Sequence, residues 1–253
     1  MSPQETGSQA QGRAQGKARG KEEASSRIVL LTLVAATIAA AAGQWWLSPF
    51  LVVAPFIHLQ ALGRRVSAER FDGLTIRWAG TVLLTTLIAT AFLPDQTRES
   101  VLAGSGLDAQ VRGWLAGTGS PAWGLLWLAV VPVVVAAATL VSDGVAGWLL
   151  YGVLATQLAI HASVIYERGT NLVLSSIVAI SPWQWALMAG LTLLIGPLRE
   201  RSFVHFLGSA PAYGPEKARR RLMIAGALFA LALLLRLATA GLYTRLTGHW
   251  TVA

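Results

Sequence analysis

Long apolar blocks alternate with short polar stretches along this chain. Seven blocks are almost entirely apolar: 28–47, 48–63, 74–93, 122–141, 145–165, 174–197 and 222–244. A helix that crosses the hydrocarbon core of a bilayer needs about 20 apolar residues, with a range of about 17–25. Most of the blocks have that length. The pattern therefore predicts an all-α integral membrane protein, a polytopic helical bundle of about seven membrane-embedded segments.

Residues 28–63 are predicted to form two segments rather than one. A single helix of this length would span about 54 Å, whereas the hydrocarbon core is about 30 Å thick. Residues 43–49 contain paired tryptophans and a Ser-Pro step, which favour the membrane interface and a turn. Two alternatives stay open: a re-entrant hairpin over 28–63, and a cleavable signal peptide that ends near residues 40–42.

The distribution of charge predicts the orientation. With a cytoplasmic N-terminus and two segments in 28–63, fifteen of the twenty Lys and Arg residues fall on the cytoplasmic side. The positive-inside rule favours this topology, which places the C-terminus outside. The chain then divides into a disordered basic cytoplasmic tail (1–27), a helical membrane domain (28–247) and a short external C-terminal tail (248–253).

Two connecting segments have predicted features of their own. Four apolar residues of the 94–121 loop share one helical face: Leu107, Val111, Trp114 and Leu115. We therefore expect a short amphipathic helix there, lying on the outer surface. The 198–221 loop ends at Pro215, which is expected to begin the last helix. Three arginines follow it and are expected to contact anionic lipid headgroups: Arg219, Arg220 and Arg221.

Composition agrees with a membrane protein and excludes several chemistries. Hydrophobic residues make up 54% of the chain and charged residues 13%, whereas soluble domains contain about 25% charged residues. The absence of cysteine excludes thiol catalysis, thiolate metal sites and disulfides. Arginine greatly outnumbers lysine and alanine is abundant, as is typical of a GC-rich bacterial genome. We expect a multi-pass protein of a bacterial inner membrane that does not bind nucleic acid.

Polar side chains within the predicted segments are the candidates for chemistry, because their burial in a bilayer costs free energy. Gln157 and His161 lie one turn apart on one helix face, and Arg236 falls at a comparable depth in the outer half of the membrane. These three residues form a candidate intramembrane polar cluster. Four further candidates have less support: His58, Asp143, Arg168 and Asn171.

Each candidate also has a structural interpretation. Gln and His on a membrane helix often hydrogen-bond to a neighbouring helix. Arg236 can snorkel to the interface or pair with a carboxylate at the outer helix ends. In Ser142-Asp143-Gly144, the serine and aspartate are expected to cap the next helix while the glycine permits a tight turn. His58 and His161 lie at different depths, which disfavours a haem between them. The sequence predicts no cofactor and no metal.

Two function hypotheses follow. The sequence has no HExxH, GxSxG or Walker A motif, no lysine in a predicted segment and no acidic residue deep within one. The favoured hypothesis is a non-catalytic scaffold, assembly or trafficking subunit that acts through helix packing and a basic cytoplasmic face. The alternative is a transporter or membrane-embedded enzyme that handles an anionic, lipid-linked amphiphile through Arg236, His161 and Gln157.

Overall fold

The structure is a computed structural model that describes residues 68–92, 121–168, 181–203 and 213–248, together with four isolated helical positions between 27 and 35. Within these residues all regular structure is helical. The helices are α1 (Ala68–Phe92), α2 (Pro121–Val141), α3 (Val145–Arg168), α4 (Pro182–Arg199) and α5 (Pro215–Gly248). The predicted all-helical fold is confirmed to this extent, with one candidate membrane span.

Several predictions lie outside the described residues, and the count of seven segments therefore stays a prediction. They concern the tail at 1–27, the paired segments in 28–63 with His58, the surface helix in 94–121, Asn171, and the C-terminal tail beyond Gly248.

All five helices coincide with predicted apolar blocks, but α1 and α5 begin earlier than their blocks do. The last helix begins at Pro215, as predicted. Proline suits this position because its fixed φ is helical and its missing N–H would have had no partner in the first turn. Gly214, just before it, has φ 80° and accepts the first backbone hydrogen bond of the helix, from Ala218. The preceding glycine thus supplies the left-handed residue that turns the chain into α5.

Helix α5 packs chiefly against α4. Three alanines at seven-residue spacing on α5 are buried: Ala218, Ala225 and Ala232. Small side chains allow two helices to approach closely. On the α4 side, a Cβ at Gly190 would lie 2.5 Å from a ring carbon of Phe229, so the glycine is needed for the aromatic ring to fit.

An aromatic core joins α1, α3 and α4. Trp78 of α1 packs over Gly152 of α3, where a Cβ would lie only 2.4 Å from the indole ring. Trp148 and Tyr151 meet edge to face with ring centroids 5.4 Å apart. The Tyr151 hydroxyl accepts a hydrogen bond of 3.1 Å from Thr192 of α4. The three helices are therefore held by large side chains and by one polar contact within the bundle.

Large apolar side chains cover much of the outside of the described bundle. Exposed members occur on four of the helices: Ile76, Leu84, Ile88, Leu126, Val133, Val134, Trp185, Met223, Leu234 and Leu237. Several buried residues are polar or charged: Asp72, Thr75, Thr139, Asp143, Gln184, Arg199 and Arg236. Among the described helices, the stretch Pro215–Thr239 is long and apolar enough to cross a membrane.

Candidate functional site

A cluster of charged side chains lies at one end of the bundle. Asp72 is near the start of α1, Asp143 is in the turn between α2 and α3, Arg199 ends α4 and Arg221 is near the start of α5. The side-chain exposure of these four residues is 5%, 0%, 4% and 14% in that order. We call these four residues, together with Tyr213, the charge cluster. In an up-and-down bundle, the start of one helix and the end of the next lie at the same end of the bundle. The residues of the charge cluster occupy such alternating helix ends and can therefore meet.

Asp72 is the acceptor at the α1–α5 side of the charge cluster. Its Oδ2 accepts a hydrogen bond of 2.6 Å from Nη2 of Arg221 and another from the hydroxyl of Tyr213. The Arg221 guanidinium also lies over the Tyr213 ring, 4.3 Å from its centroid. The backbone N–H of Tyr213 donates to the carboxylate of Glu200. These contacts attach the start of α5 to α1 and to the end of α4.

Asp143 and Arg199 form the other half of the charge cluster. Nε of Arg199 lies 3.6 Å from Oδ1 of Asp143, which is an ion-pair distance but too long for a hydrogen bond. Within the described residues, neither carboxylate oxygen of Asp143 accepts a hydrogen bond. Its backbone N–H donates to Oγ of Ser202 at 3.1 Å, and that hydroxyl donates to the carbonyl of Leu140 at 2.7 Å. The α2–α3 turn is thereby attached to the chain that follows α4.

Local conformation explains why this turn carries an aspartate and a glycine. Asp143 has φ 53° and Gly144 has φ 81°, both in the left-handed region, which Asp tolerates better than most residues. Oγ of Ser142 accepts the N–H of Ala146 at 2.8 Å. Ser142 therefore caps α3, as predicted. Asp143 was also expected to cap this helix, but its carboxylate faces Arg199 instead. A Cβ at position 144 would lie 3.0 Å from Cδ of Arg199.

Burial shifts the proton affinities of the charge cluster. Desolvation raises the pKa of Asp72, while the hydroxyl of Tyr213 and the charge of Arg221 act in the opposite direction. Burial and the neighbouring Asp72 raise the pKa of Tyr213, so the phenol stays protonated. Burial lowers the pKa of Arg199, and the charge of Asp143 opposes that shift. Because Arg199 also interacts electrostatically with Asp72 and Tyr213, the two ion pairs act as one cluster.

Arg236 lies far along α5 from the charge cluster. It is fifteen residues beyond Arg221, which corresponds to about 22 Å of helix. Arg236 is 8% exposed, and its guanidinium lies 5.5 Å from the ring centroid of Trp183, in the first turn of α4. This distance falls within the range of a cation–π interaction. The described contact of Arg236 is thus with α4.

The other predicted candidates are only partly described. Gln157 and His161 lie on α3, one turn apart, and Arg168 ends that helix, but their side chains are outside the described part of the structure. Helix α3 packs mainly against α1 and α2, whereas α5 packs mainly against α4. Their grouping with Arg236 stays a prediction.

The structure places two further polar residues that the sequence analysis considered. Gln184, within a predicted segment, accepts the backbone N–H of Ser181 at 3.3 Å and so completes the start of α4. Arg221 differs from its expected position at the headgroups, because its guanidinium is turned inward to Asp72. Arg219 and Arg220 are exposed.

The charge cluster contains three residues that sequence reasoning did not single out: Asp72, Arg199 and Tyr213. The Asp72–Arg221 contact joins positions 149 residues apart, and no spacing rule links such positions. One signal was available: Asp72 is an acidic residue next to Arg70 and Arg77 in a strongly basic stretch. A carboxylate at a helix end that faces basic helix ends is a candidate for pairing.

Comparison with known proteins adds nothing to this geometry: no family model, curated protein or solved structure matches the chain. Among the described residues, no group of three or more His, Asp or Glu side chains is placed to hold a metal ion.

Proposed function

We propose that this chain is a multi-pass protein of a bacterial inner membrane whose charge cluster lies on the cytoplasmic side. The exposed apolar surface of the bundle and the long apolar α5 support insertion. Five exposed cations lie on the described parts of the helix ends and turns around the charge cluster: Arg70, Arg201, Lys217, Arg219 and Arg220. By the positive-inside rule, such an end faces the cytoplasm.

Within the membrane, the function best supported is that of a non-catalytic scaffold, assembly or trafficking subunit. The supporting observation is that the buried charged groups engage one another, or an aromatic ring, across different elements of the bundle. Asp72 pairs with Arg221, Asp143 with Arg199, and Arg236 with the ring of Trp183. Side chains engaged in this way fix how the helices pack. The rigid bundle would then present its basic face to cytoplasmic partners and to anionic lipid.

Reporter fusions test the membrane topology on which this function depends. Fusions after Ser67 and after Tyr213 should report a cytoplasmic location, and fusions after Gly106 and after Val252 an external one. Each position lies outside the predicted membrane segments, so the reporter does not interrupt one of them. A cytoplasmic report at Gly106 would contradict the topology, because it would place both ends of 74–93 on one side.

A second candidate function is a transporter or enzyme that grips an anionic, lipid-linked amphiphile with Arg236, His161 and Gln157. The observation that favours it is the burial of Arg236 in the helix that is long and apolar enough to cross a membrane, where an arginine costs about 2.5–3.5 kcal/mol on insertion scales. A residue of that cost is a functional candidate by default.

Arg236→Leu separates the two functions when it is expressed in a deletion strain. A scaffold should lose function only in proportion to the amount of folded protein in the membrane. A ligand-gripping protein should stay folded and inserted at full level while its function is lost, and Arg236→Lys should retain part of it. Arg77→Leu is the control, because it removes an exposed arginine that neither proposed function uses.

A further inference from the structure

The helical period divides the three consecutive arginines of α5 between two environments. Arg219 and Arg220 are exposed, whereas Arg221 is turned to Asp72. Residues four positions apart lie on the same helix face. Four positions on, Met223 and Ile224 are exposed, at 60% and 42%, whereas Ala225 is fully buried. The outward arginines therefore stand directly above exposed apolar side chains.

The exposed face continues as an apolar strip along α5. Its large members beyond the first two are Leu231, Leu234 and Leu237. We call the face from Met223 to Leu237 the α5 strip. In the first turn above it, Lys217 is exposed beside Arg219 and Arg220, and Glu216 is the exposed acidic residue. Three cations against one carboxylate give this end of the strip a net positive charge.

We propose that Arg219 and Arg220 bind the phosphate of an anionic phospholipid whose acyl chains lie along the α5 strip, while Arg221 is withheld from the lipid by Asp72. The proposal rests on the membrane insertion proposed above. A phospholipid presents a phosphate next to two apolar chains, which matches two cations at the head of an apolar strip. The guanidinium fork suits a phosphate because it donates two parallel hydrogen bonds.

This geometry favours a lipid over an acidic cytoplasmic protein. An acidic protein would meet the same arginines but would leave the strip below them uncovered. An anionic lipid covers both features, whereas in a zwitterionic lipid the positive charge of the headgroup opposes binding of its phosphate by the arginines. The site should therefore discriminate between headgroups through Arg219 and Arg220, with each arginine changing affinity about fivefold.

The test compares phosphatidylglycerol with phosphatidylcholine bound to the full-length protein in detergent, by native mass spectrometry. The wild type should prefer phosphatidylglycerol, and Arg219→Gln/Arg220→Gln should reduce that preference by roughly 25-fold. Arg201→Gln is the control, because it removes an exposed cation from the turn after α4 at the same end of the bundle. It should leave the preference unchanged. Glycerol phosphate, which has no acyl chains, should compete poorly.

Three results would overturn the proposal. The double variant could keep the wild-type preference. Arg201→Gln could lose the preference as strongly as the double variant does, which would indicate diffuse charge. Glycerol phosphate could compete as well as the lipid. Extraction of native membranes with alkaline carbonate distinguishes a failure of the lipid site from a failure of the proposed function. Release of the chain by carbonate would refute membrane insertion itself, whereas a retained chain without headgroup preference would refute the lipid site alone.

Discussion

Arg221 and Asp72 form an ion pair with a hydrogen bond of 2.6 Å that ties the start of the last described helix to the start of the first. The two partners are not equally dependent on it. The side chain of Asp72 is 5% exposed, whereas that of Arg221 is 14% exposed and has a long stem that can reach water. Asp72 cannot regain hydration in the same way. Its charge therefore depends on Arg221 more than the reverse.

The first prediction is that Arg221→Gln destabilises the protein more than Asp72→Asn does. Arg221→Gln leaves a buried carboxylate without its cation, and such changes cost about 3–5 kcal/mol. Asp72→Asn leaves an arginine that can turn to solvent, so the loss should be smaller. Melting temperature and denaturant unfolding in detergent at pH 8 measure both.

The double variant Asp72→Asn/Arg221→Gln is the control for this pair. It should be more stable than Arg221→Gln alone, because no uncompensated buried charge remains. Strictly additive losses from the two changes would show that the 2.6 Å contact contributes no coupling energy.

The second prediction concerns pH. Burial raises the pKa of Asp72 in the folded protein above the value of an unfolded chain. The folded state therefore binds a proton more readily, and this contribution to stability is fully present below the ordinary pKa of Asp. It is lost as the pH rises through the raised pKa. Melting temperature measured from pH 4 upward should show this decline, and Asp72→Asn should remove that part of the slope. An unchanged pH profile in the variant would contradict the assignment.

The third prediction concerns Asp143→Asn. Asparagine tolerates the left-handed backbone at φ 53°, so this change removes the charge without adding strain. It leaves Arg199, which is 3% exposed, without its carboxylate, and the expected loss is again about 3–5 kcal/mol. Arg199→Met in the same chain should restore part of the stability. A variant as stable as the wild type would show that the 3.6 Å contact is not needed.

The fourth prediction compares two glycines. Gly152→Ala should be destabilising, because its Cβ would lie 2.4 Å from the ring of Trp78, which is 2% exposed and cannot move aside. Gly226→Ala is the matched control within a helix, since nothing lies within 4 Å of its Cβ. It should be neutral or stabilising by up to about 1 kcal/mol. Equal effects at both positions would argue against the close contact of α1 and α3.

The elements that follow local rules were predictable from the sequence. Each described helix coincides with an apolar block, because a helix satisfies its own backbone polar groups in an apolar environment. The turn at Ser142-Asp143-Gly144 and the start of α5 at Pro215 followed from the intrinsic conformations of glycine, proline and capping residues. These are properties of a few neighbouring residues.

The charge cluster was not predictable in the same way. Asp72 lies in a basic stretch, but its partner is 149 residues away and no spacing rule links the two positions. Arg221 looked equivalent to Arg219 and Arg220 because the three arginines are consecutive in the sequence. The helical period nevertheless turns them to different faces of the helix. The contact of Arg236 with Trp183 likewise depends on how α5 packs against α4. Such pairings are set by the helix arrangement, which a single sequence does not contain.

The Asp72–Arg221 pair also has a consequence for biosynthesis. Asp72 leaves the ribosome long before Arg221, so the carboxylate has no cation from α5 while the intervening helices are being made. During that interval, only water or a proton can compensate the carboxylate in the place of Arg221. Arg221 can reach Asp72 only when α5 packs against the rest of the bundle. The last described helix therefore closes the bundle, and the nascent chain completes its charge pairing only at that moment.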